Sequence, residues 1–181
     1  FSPVKQGTIY STILRRNADG KWSGQTTAVF AVPSQPEGCV YDARTSRLYV
    51  GEEVVGVWMF DRKSQAKKLV APVDNRQLVA DVEGLALAPE GDDAGWLVVS
   101  SQGDNAYARY RLPDMTPAGR FRIAAGQFDA TEETDGIALD TRDFGAQYPQ
   151  GLFIAQDGMN VPTSQNFKLV SWQDIMEALG R

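Results

Sequence analysis

The sequence predicts an all-β fold of repeated, roughly four-stranded units ending in a short C-terminal helix, and three observations carry that prediction. Apolar runs of about four to eight residues, punctuated by Gly, Pro, Asn and Asp, recur along the whole chain of 181 residues. A triplet of acid, glycine and apolar residue occurs as Glu37-Gly38-Cys39, Glu83-Gly84-Leu85 and Asp135-Gly136-Ile137, so that its acids are 46 and then 52 residues apart. Only near the C-terminus does the apolar period change. There Trp172, Ile175, Met176 and Leu179 recur at helical spacing with Gly180 beyond, which predicts a helix over Trp172 to Leu179.

In chain order, the first element is a hairpin, TIYSTILRR and TTAVFAV around Asn17-Ala18-Asp19-Gly20, which reads as the outer strands of an earlier unit over residues 7–32. Three units then start near residues 37, 83 and 135. In each, the strand after the triplet is followed by a turn and a second strand ending in small or polar residues: LYVGEE (48–53), LVVSSQGDN (97–105) and LFIAQDG (152–158). A third strand follows as VWMFD, YARYRL and FKLVSW. A period of about 45 to 50 residues with about four strands is the size of one β-propeller blade. Residues 1–181 therefore read as one partial propeller domain of roughly three to four blades. Propellers close with typically four to eight blades, so an exposed interblade flank is expected, to be met by a missing half or by self-association.

Composition narrows the chemistry. The sequence has no histidine and one cysteine, Cys39. That removes histidine-dependent triads, histidine phosphatases, HExxH metalloproteases, intrachain disulfides and cysteine-based zinc or iron sites. The remaining candidate ligands are oxygens, which suit calcium or magnesium. Net charge is −5, from 18 basic and 23 acidic residues, and the basic residues form no long run, so no nucleic-acid partner is expected. No apolar run approaches the roughly 20 residues that span a bilayer, so no membrane partner is expected either. The first residue is Phe1 rather than methionine, as expected of a mature or truncated piece.

The repeat also places side chains. Within a blade the first two strands are antiparallel, so the start of the first and the end of the second lie at one end of the sheet. Glu37 then faces the Glu52-Glu53 loop, Glu83 faces Gln102, and Asp135 faces Gln156-Asp157. Because the first strand lines a propeller's channel, these groups would gather at one mouth. Clustered carboxylates repel one another unless cations are bound, and Ca²⁺ fits better than Mg²⁺ because it accepts six to eight ligands in flexible geometry.

A plainer reading accompanies each of these residues. Acid-Gly pairs are common turn chemistry, with glycine supplying a positive φ. Glu52 reads as a solvated neighbour of Glu53, and Gln102 fits either a ligand or an amide bonded to backbone. Asp104 and Asn105 are equally ambiguous, and Asp129, near Glu132 and Glu133, fits a charged exposed loop tip as well as a metal site. Trp58, Trp96, Phe153 and Trp172 read as packing residues, and Cys39 as a small buried hydrophobe.

The stretches QPEGCVYD, LYVGEE, ADVEGL, SSQGDNAY, TDGIAL, YPQGLFIAQDG and QNFKLVSW, in this order between about residues 35 and 172, resemble the β-propeller phytases. The resemblance implies a six-bladed propeller, of which this chain is the C-terminal half. It also implies a calcium cluster at the channel mouth, with hydrolysis of myo-inositol hexakisphosphate (phytate) by a metal-bridged water and no phosphoenzyme. On it, Glu37, Glu53, Asp81, Glu83, Gln102 and Asp135 correspond to the calcium ligands, Asp129 and Asp157 to a structural calcium site, and Lys5 to a lysine set against a substrate phosphate. A secreted or periplasmic bacterial location is implied by the resemblance alone. The family's Asp-Asp-Pro-Ala motif is absent, Asp92-Asp93 being followed by Ala-Gly. Two other functions fit the same residues: a lactonase-like calcium propeller hydrolase, whose typical site holds a single metal, and a catalytically incomplete, calcium-stabilised fragment. The pairing of Asp81 and Glu83 with Glu37 and Glu53 favours several ions and a polyanionic substrate.

Overall fold

A computed structural model describes residues 1–180. The strands are β1 (Ser2–Pro3), β2 (Thr8–Arg16), β3 (Trp22–Ala31), β4 (Pro36–Asp42), β5 (Arg47–Glu52), β6 (Gly56–Asp61), β7 (Lys67–Pro72), β8 (Val82–Glu90), β9 (Ala94–Ser101), β10 (Ala106–Leu112), β11 (Thr116–Phe121), β12 (Ile137–Asp140), β13 (Leu152–Asp157) and β14 (Asn166–Ser171). The helix α1 spans Trp172–Ala178. They form four antiparallel sheets in consecutive order: β1-β2-β3, β4-β5-β6-β7, β8-β9-β10-β11 and β12-β13-β14. No sheet closes on itself, and the succession is consistent with propeller blades.

Three apolar layers hold the sheets together, and the two-residue period of the strands divides side chains between them. Along β5, Leu48 and Val50 join Ile9, Val32 and Phe60 between the first and second sheets, whereas Tyr49 turns to the layer shared with the third. Along β9, Leu97 and Val99 face that second layer, and Val98 joins Tyr107, Phe153 and Ala155 between the third and fourth sheets. Strands buried on both faces read as continuous apolar runs, which is why β5 and β9 show no alternation in sequence.

The helix closes the last layer with Trp172, Ile175 and Met176, all buried. The Ser171 hydroxyl caps it by accepting from the Asp174 N–H at 3.3 Å. Leu179, expected to be helical, is instead the residue that terminates the helix. No helix among the described residues is long and apolar enough to cross a membrane.

The first strands of successive sheets lie side by side, β4 against β8 and β8 against β12. Their glycines explain the approach. A Cβ on Gly38 would stand 2.3 Å from the Glu83 carbonyl oxygen, and one on Gly84 would stand 2.7 Å from the Ile137 nitrogen. The plainer reading, turn chemistry with a positive φ, does not hold at these positions: Gly38, Gly84 and Gly136 are not among the positive-φ glycines, and at Gly38 and Gly84 close strand contact is the reason for the residue.

Candidate metal centre

Each of the first two acid-Gly pairs sits on a β-bulge. Pro36 pairs with Glu52 and Cys39 with Val50, so three steps along β4 match two along β5. Val82 pairs with Ser101 and Leu85 with Val99, the same irregularity between β8 and β9. A bulge adds a residue and re-aims a side chain at a sheet's edge. Here it turns Glu37 and Glu83 into a shallow cleft that Asp135 also lines.

Glu53 arrives from the next loop. Its N–H donates to the Gln35 carbonyl at 3.0 Å, and its own carbonyl accepts from the Val82 N–H at 2.8 Å, tying the β5–β6 loop to the start of the third sheet. Carboxylate oxygens of Glu37, Glu53 and Glu83 lie within 4.8 Å of one another. Glu83 is buried, and its carboxyl is pushed up to about 8, first by burial and then by the charges of Glu37, Asp135, Glu53 and Asp81. Five acids thus act on one small volume. An all-oxygen donor set with mutual repulsion fits a hard divalent cation.

Around this core the predicted residues are positioned by neighbours. The Gln102 side-chain amide donates to Asp135 Oδ1 at 2.7 Å, while its main-chain N–H donates to the Asp81 carbonyl at 2.9 Å. Gln102 lies in a short 3₁₀ turn with Gly103, where any Cβ would collide with the Ala80 carbonyl, so the turn presses directly on the Asp81 segment. The Asp135 N–H donates to Gln156 Oε1 at 2.8 Å. One residue before Asp135, the Thr134 hydroxyl meets buried Tyr107 at 2.8 Å, and the Thr134 carbonyl accepts from Ser100 Oγ at 2.8 Å. Lys5 is exposed in the β1–β2 turn. That turn lies at the carboxylate end, since Val32 N–H donates to the Gly7 carbonyl and the following loop carries Gln35.

Two readings change. Glu52 is fully buried rather than solvated, accepting from Ser34 N–H, Ser34 Oγ and Trp58 Nε1, each at 2.6 Å. It anchors the loop that enters β4. Asp129 and Asp157 do converge, but on the Lys168 ammonium, at 2.6 and 2.9 Å, with Asn160 Oδ1 at 3.2 Å and Asn166 Oδ1 at 3.0 Å. Burial alone would lower the Lys168 pKa, but its bonds to Asp129 and Asp157 outweigh that and raise it. Asp129 is therefore an ion-pair partner in this structure rather than a free loop tip.

Sequence reasoning missed Gln35, which donates to Glu37 Oε1, and the Ser101 hydroxyl, which bonds both the N–H and the carbonyl of Val79 just ahead of Asp81. Gln35 acts on a residue only two positions away, where no pattern marks an amide as a partner, and Ser101 acts on a segment 22 residues distant, which its spacing cannot reveal. Cys39 is partly buried beside the cleft, and burial pushes its thiol above the ordinary value.

Converging carboxylates at one end of adjoining antiparallel sheets define a β protein with an acidic cluster whose donors would suit a hard cation. Comparison with known proteins makes the class specific. The sequence model of the Phytase family matches residues 3–181. The chain is also 36% identical over 185 aligned residues to a 3-phytase of Bacillus subtilis (strain 168), an alignment covering 97% of this chain and 48% of that relative. The chain belongs to the phytase family, and it spans about half the length of this curated relative.

Proposed function

We propose that this chain contributes the calcium-holding part of a β-propeller phytase that hydrolyses phosphate monoesters of myo-inositol hexakisphosphate. The observation that carries the reading is the meeting of Glu37, Glu53 and Glu83 within 4.8 Å, in a chain that belongs to the phytase family. These three carboxylates would hold calcium, with Asp81, Asp135 and the Gln102 amide completing a set that suits several ions. Calcium bound there would reverse the local charge toward a polyanionic substrate, polarise phosphoryl oxygens and acidify water.

The chain's own residues set the conditions for that chemistry. Gln102 holds one oxygen of Asp135, and Gln156 holds its main-chain N–H, so Asp135 faces the cleft with one oxygen committed. The Glu83 proton must leave before the carboxylate can serve as a ligand, which favours activity at neutral to alkaline pH. Lys5, on a turn at the same end, offers a cation to a phosphate that the carboxylates would repel. No covalent phosphoenzyme is required: the sequence has no histidine, and the Cys39 thiol is held protonated. Asp129 and Asp157, with Asn160, would form a structural calcium site only where Lys168 yields its place among their oxygens. A secreted or periplasmic setting belongs to the same reading and rests on the family alone.

Phosphate release from inositol hexakisphosphate tests the proposal, measured with calcium, with excess chelator and with Glu83→Gln. The expected result is calcium-dependent release that falls on the order of 100-fold in the variant. Release that persists in chelator, or that Glu83→Gln leaves intact, would sink it.

A further inference from the structure

We infer that the cleft between the third and fourth sheets, at the end away from the acidic cluster, binds a small organic monoanion: a carboxylate carried on an apolar body and held by Arg109 and Arg111. The inference rests on neither calcium nor hydrolysis.

Strand register builds the site. Trp96 on β9 stands opposite Ala88 on β8 and Arg111 on β10. Arg109, two residues before Arg111, and Glu90, two after Ala88, share that face, as alternate residues of a strand do. The face is turned to the fourth sheet, since Ala88 and Trp96 join the layer of Phe153, Trp172 and Met176. Glu83 stands near the start of β8 and Glu90 ends it, so the acidic cluster and this cleft occupy opposite ends of one strand. The cleft measures about 610 Å³, a size that takes small organic ligands.

Charge is out of balance there. Arg109 is only 4% exposed, yet no carboxylate among the described residues pairs with it. Its Nε donates to the Ala118 carbonyl at 2.9 Å and its Nη1 to the Met176 sulfur at 3.0 Å, the second a weak acceptor. Its guanidinium carbon lies 4.2 Å from the centroid of the Trp96 ring, and that of Arg111 lies 4.5 Å from the same ring, so two cations share one indole. Burial, and then the charge of Arg111, push the Arg109 pKa below the ordinary arginine value. Glu90 is the single acid lining the cleft among the described residues, and it already accepts from Trp96 Nε1 at 2.9 Å and Arg111 Nη1 at 2.7 Å. Two guanidiniums and one carboxylate leave one positive charge. Packing alone does not call for it, because an apolar side chain of similar volume fills such a place without burying a charge.

The same lining selects the ligand. One net charge matches a monoanion, and Glu90 repels anions of higher charge. The planar guanidinium fork suits the two oxygens of a carboxylate. The remaining walls include Trp172, Met176, Pro149 and Ala88, which suit an apolar body rather than an inorganic or hydroxylated one.

Sodium benzoate tests the site, titrated in chelator into isotope-labelled protein while the Trp96 indole N–H resonance is followed by NMR; its assignment comes from its loss in Trp96→Phe. A saturating shift is expected, with a Kd at or below about 10 mM for so small a ligand. Benzamide, the neutral isostere, and inorganic phosphate should each bind at least about tenfold more weakly. Arg109→Met and Arg111→Gln should each weaken benzoate binding at least about tenfold, whereas Arg122→Ala, beside Asp104, should leave it unchanged. Should Arg109→Met fail to fold, Arg111→Gln, at a side chain 38% exposed, decides the matter. Absence of a saturable shift, benzamide or phosphate binding as well as benzoate, or arginine variants that bind benzoate as the parent does would each overturn the inference.

Discussion

Glu83 holds the largest electrostatic strain of the site. Its folded pKa of about 8 lies above the ordinary 4.5, so the stability belonging to the protonated form is complete below 4.5 and is lost as pH rises through about 8. Melting curves in chelator should therefore fall steadily across that window, and calcium should flatten the fall. Glu83→Gln removes the titration: in chelator at about pH 9 the variant should melt higher than the parent, and near pH 4 the two should converge. Curves that stay parallel across the window would contradict the assignment. The Glu52 carboxylate, by contrast, is bonded to three donors. Glu52→Ala should cost roughly 2 to 3 kcal/mol in denaturant unfolding, since it strands the indole and main-chain donors that the carboxylate now satisfies. Glu37, Glu83 and Asp135 were legible because they recur with the repeat, whereas Asp81 entered only through the family resemblance. Glu52 was not, since one Glu-Glu dipeptide on an alternating strand sends one carboxylate to the cleft and the other inward, and only the packed neighbours Ser34 and Trp58 say which.

At the scale of elements, the three repeated triplets revealed where the first strands begin, and β4, β8 and β12 start within two residues of them. The bulge beneath the first two triplets was hidden, because it is a relation between partner strands rather than a property of either. The reason for glycine was hidden for the same cause: strand contact across sheets leaves no mark in local sequence. The glycines separate cleanly by experiment. Gly84→Ala forces backbone apart at the Asp135–Ile137 segment and should destabilise by about 1 to 3 kcal/mol, whereas Gly136→Ala should stay within about 0.5 kcal/mol. Equal losses at the two positions in equilibrium unfolding would refute strand contact as the explanation.

Over the whole molecule, three apolar layers bind four sheets and leave their polar ends to function. The carboxylates collect at one end, and the Asp42–Arg44 and Asp140–Arg142 pairs stand at the other end of the same first strands. On the proposed function, a protein of net charge −5 with these carboxylates would need cations before it could approach a polyphosphate. Titration of calcium into the chain by calorimetry at about pH 7 tests this most directly, repeated in buffers of different ionisation enthalpy. The account predicts binding with proton release, because Glu83 is largely protonated below about 8, and loss of both in Glu83→Gln. Binding without proton release, or an unchanged titration in the variant, would place the ion elsewhere and contradict the account.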